Sequence, residues 1–162
     1  MPDFQFLRPD HEAEVLAFEL ANRTYFAAFV SDRGDAFFDE FGEQFDELLA
    51  ERESRRDAYY VLVDDDGSVL GRFNLYGIED GTADVGYRVA ERVAGRGVAT
   101  AGVRELCRVA AAEHGVRRLR ARTTHENVAS QRVLAKAGFV AAGEADVAGR
   151  PGIWFERELT QP

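Results

Sequence analysis

The chain has one cysteine, Cys107, in 162 residues. A disulfide within the chain needs two and a thiolate metal cluster needs more, so both are excluded, and no metal ligand set is proposed. No apolar run approaches the ~20 residues that cross a bilayer as a helix. The opening Met1-Pro2-Asp3-Phe4 lacks the basic and apolar blocks of a secretory signal, so a cytoplasmic protein with no membrane partner is expected. A positive balance is missing as well. Lys and Arg number 20 against 29 Asp and Glu, a formal charge of −9, so no nucleic-acid partner is expected. The one dense basic stretch, Arg117 to Arg122, alternates so that Arg118, Arg120 and Arg122 share one strand face, which reads as a solvated face. Linkers, repeats and low-complexity segments are absent. The expectation is a single domain over 1–162, as a monomer or homodimer.

What is present alternates between strand and helix patterns. Phe4 to Leu7 predicts a first strand and His11 to Leu20 a helix. Phe38, Phe41, Phe45, Leu48 and Leu49 recur at helical spacing inside a helix predicted over Asp35 to Arg52, and read as core. Tyr59 to Val63 and Val69 to Leu75 form a hairpin around Asp64-Asp65-Asp66-Gly67, which is turn chemistry and not a calcium loop. Asp84 to Val89 is the next strand, followed by a helix from about Val98 to Glu113 closed by His114-Gly115. Cys107 falls on that helix's buried stripe. Leu119 to Thr124, a short helix over Ala129 to Ala137, and strands Phe139 to Ala145 and Gly152 to Leu159 complete the chain. The fold class is α/β, with a mixed, mostly antiparallel sheet of about seven strands flanked by about four helices.

Gly95-Arg96-Gly97 between a strand and a helix puts free backbone N–H groups where a phosphate can sit. A Walker loop is excluded because Val98, not Lys, follows Gly97. A dinucleotide fingerprint is excluded because Thr100 stands where its third glycine belongs. By itself the turn is also consistent with a plain tight loop.

Three segments together carry more. Ala83 to Val89, then Gly95-Arg96-Gly97-Val98-Ala99-Thr100, then Asn127-x-x-Ser130-x-x-Val133-Leu134-x-Lys136-x-Gly138-Phe139 resembles the GNAT superfamily of N-acetyltransferases, in particular the branch of ribosomal-protein N-terminal acetyltransferases. The resemblance implies acetyl-CoA as co-substrate, held where two neighbouring parallel strands splay apart. It implies that the backbones of Tyr87, Arg88 and Val89 pair with the pantetheine arm. Gly95, Arg96, Gly97, Val98, Ala99 and Thr100 would hold the pyrophosphate, and Asn127 the pantetheine. It places Ser130 as the acid for the departing thiolate, although serine at that position also serves as a helix cap. Three positions depart from the pattern: Ala94 where many relatives carry Gln or Arg, Leu134 where many carry an acid tyrosine, and Arg122 where some carry a glutamate base.

Acetyl transfer to an amine needs a base, an oxyanion donor and an acid. Asp84, on the splayed strand, is the first base candidate, with His125 and Glu126 in reserve, and the Val89 amide is the candidate oxyanion donor. Tyr25, Phe26 and Phe29 have no period that commits them to the core and are candidate acceptor-binding residues; the resemblance, which implies an acceptor pocket built by the first helices and the last hairpin, adds Trp154. The acceptor is a primary amine, either a protein N-terminus or a small amine, and the acidic balance favours a cationic one. The competing function is a catalytically inactive acyl-CoA-binding sensor.

Overall fold

A computed structural model describes residues 1–160. The elements in chain order are β1 (Asp3–Phe6), α1 (Glu12–Ala21), α2 (Arg23–Ala27), α3 (Asp35–Asp39), α4 (Phe41–Glu51), β2 (Ala58–Val63), β3 (Val69–Glu79), β4 (Thr82–Val89), α5 (Val98–His114), β5 (Arg118–Thr124), α6 (Val128–Lys136), β6 (Val140–Val147) and β7 (Arg150–Glu158). The seven strands form one open sheet in the order β1-β2-β3-β4-β5-β7-β6, and only β4 and β5 are parallel neighbours. The described residues form six α-helices, where about four were expected. The helix expected over Asp35 to Arg52 breaks at Glu40, whose backbone leaves helical geometry at φ −108°, and a separate short helix follows α1 at Asn22. The hairpin strand runs on to Glu79, because the reversal lies at Asp80-Gly81, both with positive φ.

The core sits between the sheet and the helices on its two faces. Phe41 and Phe45 of α4 are buried, as their spacing requires, and Cys107 is buried in α5 beside Val103 and Leu106. Gly102 lets α5 come close enough to β3 that an added Cβ would strike the Phe73 ring. That ring in turn stacks on Tyr87 of β4, centroids 6.2 Å apart. This contact fixes the start of α5 against the end of β4. At the far end of α5, Gly115 takes the left-handed conformation and closes the helix behind His114.

The arginines of β5 lie in direct cross-strand register with β7: Arg118 opposite Glu158, Arg120 opposite Glu156, Arg122 opposite Trp154. Arg118 and Arg120 pair with those glutamates at 2.5 and 3.6 Å. The basic stretch is therefore an ion-paired sheet face.

His11 gives the fold a pH dependence. Its Nδ1 accepts from the Arg8 N–H at 2.9 Å and its Nε2 lies 2.9 Å from the Gln5 carbonyl oxygen, an arrangement that only the neutral ring satisfies. Burial lowers its pKa, and that of His114, below the ordinary 6.5. A depressed folded-state pKa adds stability above the unfolded value and loses it as pH falls. Melting temperature is expected to drop as pH goes from about 7 to about 5. His11→Gln should shallow that slope, and an unchanged slope contradicts the assignment.

Candidate active site

The site begins where β4 and β5 part. Their parallel register holds for Thr82 with Arg118, Ala83 with Leu119 and Asp84 with Arg120, and stops there. Beyond it β4 stays paired with β3 on its other edge, from Gly86 with Asn74 through Val89 with Gly71. The N–H of Ala90 bonds to the Leu70 carbonyl. Strand groups alternate in direction, so the amides of Gly86 and Arg88 also face β3, and those of Tyr87 and Val89 face the gap.

The turn that follows opens α5. Gly95 and Gly97 take positive φ, 76° and 78°, and Gly97 is the N-terminal cap of the helix. The first N–H accepted inside the helix is that of Ala101, by the Gly97 carbonyl at 3.0 Å. The N–H groups of Val98, Ala99 and Thr100 are thus helix-start donors without intrahelical acceptors. The Arg96 amide instead bonds back to the Val93 carbonyl at 3.3 Å, which leaves its exposed side chain as the group that can reach an anion. The first turn carries no acidic residue, so the positive end of the helix dipole is uncompensated.

A cavity of about 190 Å³ fills the gap between this turn and α6. Tyr87, Arg88, Val89, Gly95, Ala99, Asn127 and Ser130 line one side, and Tyr25, Phe26 and Phe29 of the α2 region close the other. Tyr25 packs edge-on to Phe29, centroids 5.3 Å apart, and Phe26 is buried beneath against Phe18. Phe26 therefore serves core and cavity wall at once, whereas Phe29 is exposed. Trp154 lies apart from the cavity. On β7 it faces Arg122 of β5, with the Arg120 guanidinium 3.9 Å over its ring, and that stacking commits it to the sheet face. Asp84 is exposed at the last paired position of β4 and does not line the cavity. His125 is also exposed, 3.1 Å from Glu144.

The helix cap of α6 is Asn127, whose Oδ1 accepts from the Ser130 N–H at 3.1 Å. Ser130 is thus relieved of capping duty. Its hydroxyl instead lies 2.9 Å from the Tyr87 hydroxyl. Burial pushes the Tyr87 phenol up to about 12, with the Ser130 hydrogen bond opposing, so the ring stays protonated at neutral pH. The Tyr87 side chain was not singled out from sequence; a phenol 43 positions before its partner leaves no local signal.

On the other face of β4 lies a second cavity, about 200 Å³, lined by Arg33, Arg72, Asn74, Tyr76 and Gly86 and sharing Tyr87 and Arg88 with the first. Behind it Glu19 of α1, 1% exposed, lies 3.3 Å from Arg72, 3.1 Å from Arg88 and 3.8 Å from Arg33. Strand β4 is therefore the partition between a glycine-turn cavity and an arginine-lined one.

Comparisons with known proteins give the family and the fold. Residues 5–140 match the family described as the acetyltransferase (GNAT) domain. A probable N-acetyltransferase, YjcK of Bacillus subtilis (strain 168), is 28% identical over 155 residues, covering 90% of this chain and 84% of that protein. The ribosomal-protein-S5-alanine acetyltransferase of Vibrio fischeri superposes with a TM-score of 0.88 at 21% identity, covering 96% of this chain and 91% of that one. A spermidine N-acetyltransferase of Vibrio cholerae, solved with CoA and spermine, superposes at 0.79 and 15% identity, covering 97% and 95%. With the family matched over most of its length, the chain belongs to the GNAT acetyltransferases and is an N-acetyltransferase.

Proposed function

We propose that this protein transfers the acetyl group of acetyl-CoA to a primary amine, with the reaction at the Tyr87 end of the splay between β4 and β5. The observation that carries the reading is the joining of three features in one cavity: unpaired β4 edge groups, the donor-rich start of α5, and the Tyr87–Ser130 hydroxyl pair. Acetyl-CoA supplies an activated thioester and a thiol leaving group. The amides of Val98, Ala99 and Thr100, with the Arg96 side chain, are suited to its pyrophosphate. The gap-facing groups of Tyr87 and Val89 are suited to its pantetheine arm as an added strand, and the Val89 amide to the thioester oxygen. The Asn127 side-chain nitrogen, which has no partner among the described residues, remains available to the arm.

In this reading Ser130 protonates the thiolate and is re-protonated by Tyr87, whose phenol takes the place of the tyrosine missing at Leu134. Tyr25 and Phe29 cover the thioester and exclude water. Asp84 shares the sheet face of Gly86 and Arg88 by strand alternation, one pleat beyond Gly86, where a carboxylate can take the ammonium proton through water.

Incubation with acetyl-CoA and a panel of amines, read as free thiol, should show release that depends on the added amine. Tight acetyl-CoA binding with no amine-dependent thiol from any acceptor would instead favour the sensor function.

A further inference from the structure

The net charge of −9 points to a cationic acceptor, but the cavity across β4 from the cofactor has the opposite local charge. Arg33, Arg72 and Arg88 meet a single buried carboxylate, Glu19. Glu19 is bonded by Nη1 of Arg72 and Nη1 of Arg88 alone. The Nε and Nη2 atoms of both arginines have no acceptor among the described residues. The Arg33 guanidinium makes no hydrogen bond among those residues; it stacks on Phe37 at 4.8 Å, and that of Arg88 on Phe26 at 4.4 Å. No other carboxylate lies within 4 Å of these arginines among the described residues, although the adjacent hollow shares Arg33, Arg72, Asn74 and Tyr76 with this cavity and Asp84 lies opposite Tyr76. Asp32 is tied to Arg23 at 2.8 Å, and Glu51 of α4 accepts from Tyr59 in the adjacent hollow, which Glu47 also lines. Burial and mutual repulsion hold Arg72 and Arg88 below the ordinary arginine range, so an added anion relieves both.

Asn74 borders the same cavity. Asn74 gives its Nδ2 hydrogen to the Tyr76 hydroxyl at 2.8 Å, and its buried Oδ1 has no partner among the described residues. Asn74 lies opposite Gly86, and Arg72 opposite Arg88, one pleat along the same face. The two rows are therefore about 6–7 Å apart. The Asn74–Gly86 row is the one beside Tyr87, where the proposed transfer occurs.

We infer that the acceptor is an amine carrying a carboxylate or phosphate about 6–7 Å from its nitrogen, the anion seated on Arg33, Arg72 and Arg88 and the amine directed to the Asn74–Gly86 row beside Tyr87. The inference rests on the acetyl-transfer reading above. An anion on two or three guanidiniums is bound by charge-assisted forks, and a cation in its place meets uncompensated like charge.

Three probes differing only at the far end test it: 5-aminopentanoate, pentylamine and 1,5-diaminopentane. Each is titrated calorimetrically into the CoA-loaded protein, and each is assayed for thiol release. The carboxylate-bearing amine should bind about tenfold or more tighter than pentylamine, with the diamine weakest, as hydrogen bonds to charged groups require. Arg33→Gln, at the most exposed arginine, should narrow the gap between the first two probes. Equal affinities, a preference for the diamine, or no binding of 5-aminopentanoate at millimolar concentration overturns the inference. If CoA itself does not bind, the acetyl-transfer reading fails first, and the two failures are told apart.

Discussion

Ser130→Ala and Tyr87→Phe are each expected to lower kcat by about 10²-fold while leaving acetyl-CoA affinity nearly unchanged, the range of a positioned general acid. The two hydroxyls are 2.9 Å apart and the Ser130 amide is capped by Asn127, so the Ser130 hydroxyl is not the cap of α6, while the Tyr87 hydroxyl also lies 3.5 Å from the Ser130 carbonyl and links β4 to α6. Loss of the Ser130 hydroxyl removes the donor nearest the thiolate. Loss of the Tyr87 hydroxyl leaves Ser130 without the partner that returns its proton. Because they act in series, the double variant should be little slower than either single one, and additive losses would contradict the relay. Thermal melts guard against a folding effect: the phenylalanine ring keeps the stack on Phe73. A wild-type rate in either variant removes that residue from the proton path.

The second large effect is on stability. Glu19→Ala should cost about 3–5 kcal/mol, because it leaves buried Arg72 and partly buried Arg88 without their shared counter-charge. Neither arginine has another carboxylate within 4 Å among the described residues, and the cavity wall they form is pinned to α1 through Glu19. Chemical denaturation reads the loss directly. A cost below about 1 kcal/mol would mean that water or relaxation compensates the guanidiniums, and the cluster would then be no structural anchor.

Glu19 shows why part of the site escaped the sequence. A glutamate in a ten-residue helix reads as solvent-facing, and nothing local signals that Arg72 and Arg88 arrive beside it from 53 and 69 residues away. The same holds for Tyr87 and Ser130, which meet only after β4 and α6 converge. By contrast the turn at Gly95 and Gly97 was legible because its chemistry is local: positive φ favours glycine, and a helix start supplies donors wherever it occurs. The aromatics Tyr25, Phe26 and Phe29 were legible as a group through their missing period, and all three reach the cavity. Trp154 entered through the resemblance, and no local signal in the sequence shows the arginines that stack on it across the sheet. Helix α4 was recovered from its phenylalanine stripe, but the break at Glu40 was not, since phenylalanines on both sides continue the pattern. The net charge of −9 does not describe the cavity lined by Arg33, Arg72 and Arg88, because an average over the chain carries no information about one cavity.

The central claim is that acetyl-CoA sits in the splay with its phosphates on the start of α5. Calorimetric titration of acetyl-CoA into the wild type and into Gly97→Val tests it most directly. A side chain at φ 78° has open space around its Cβ, yet strains the backbone that presents the amides. The account predicts a loss of affinity of about tenfold or more in a variant that still melts cooperatively. Unchanged affinity in that folded variant would contradict it.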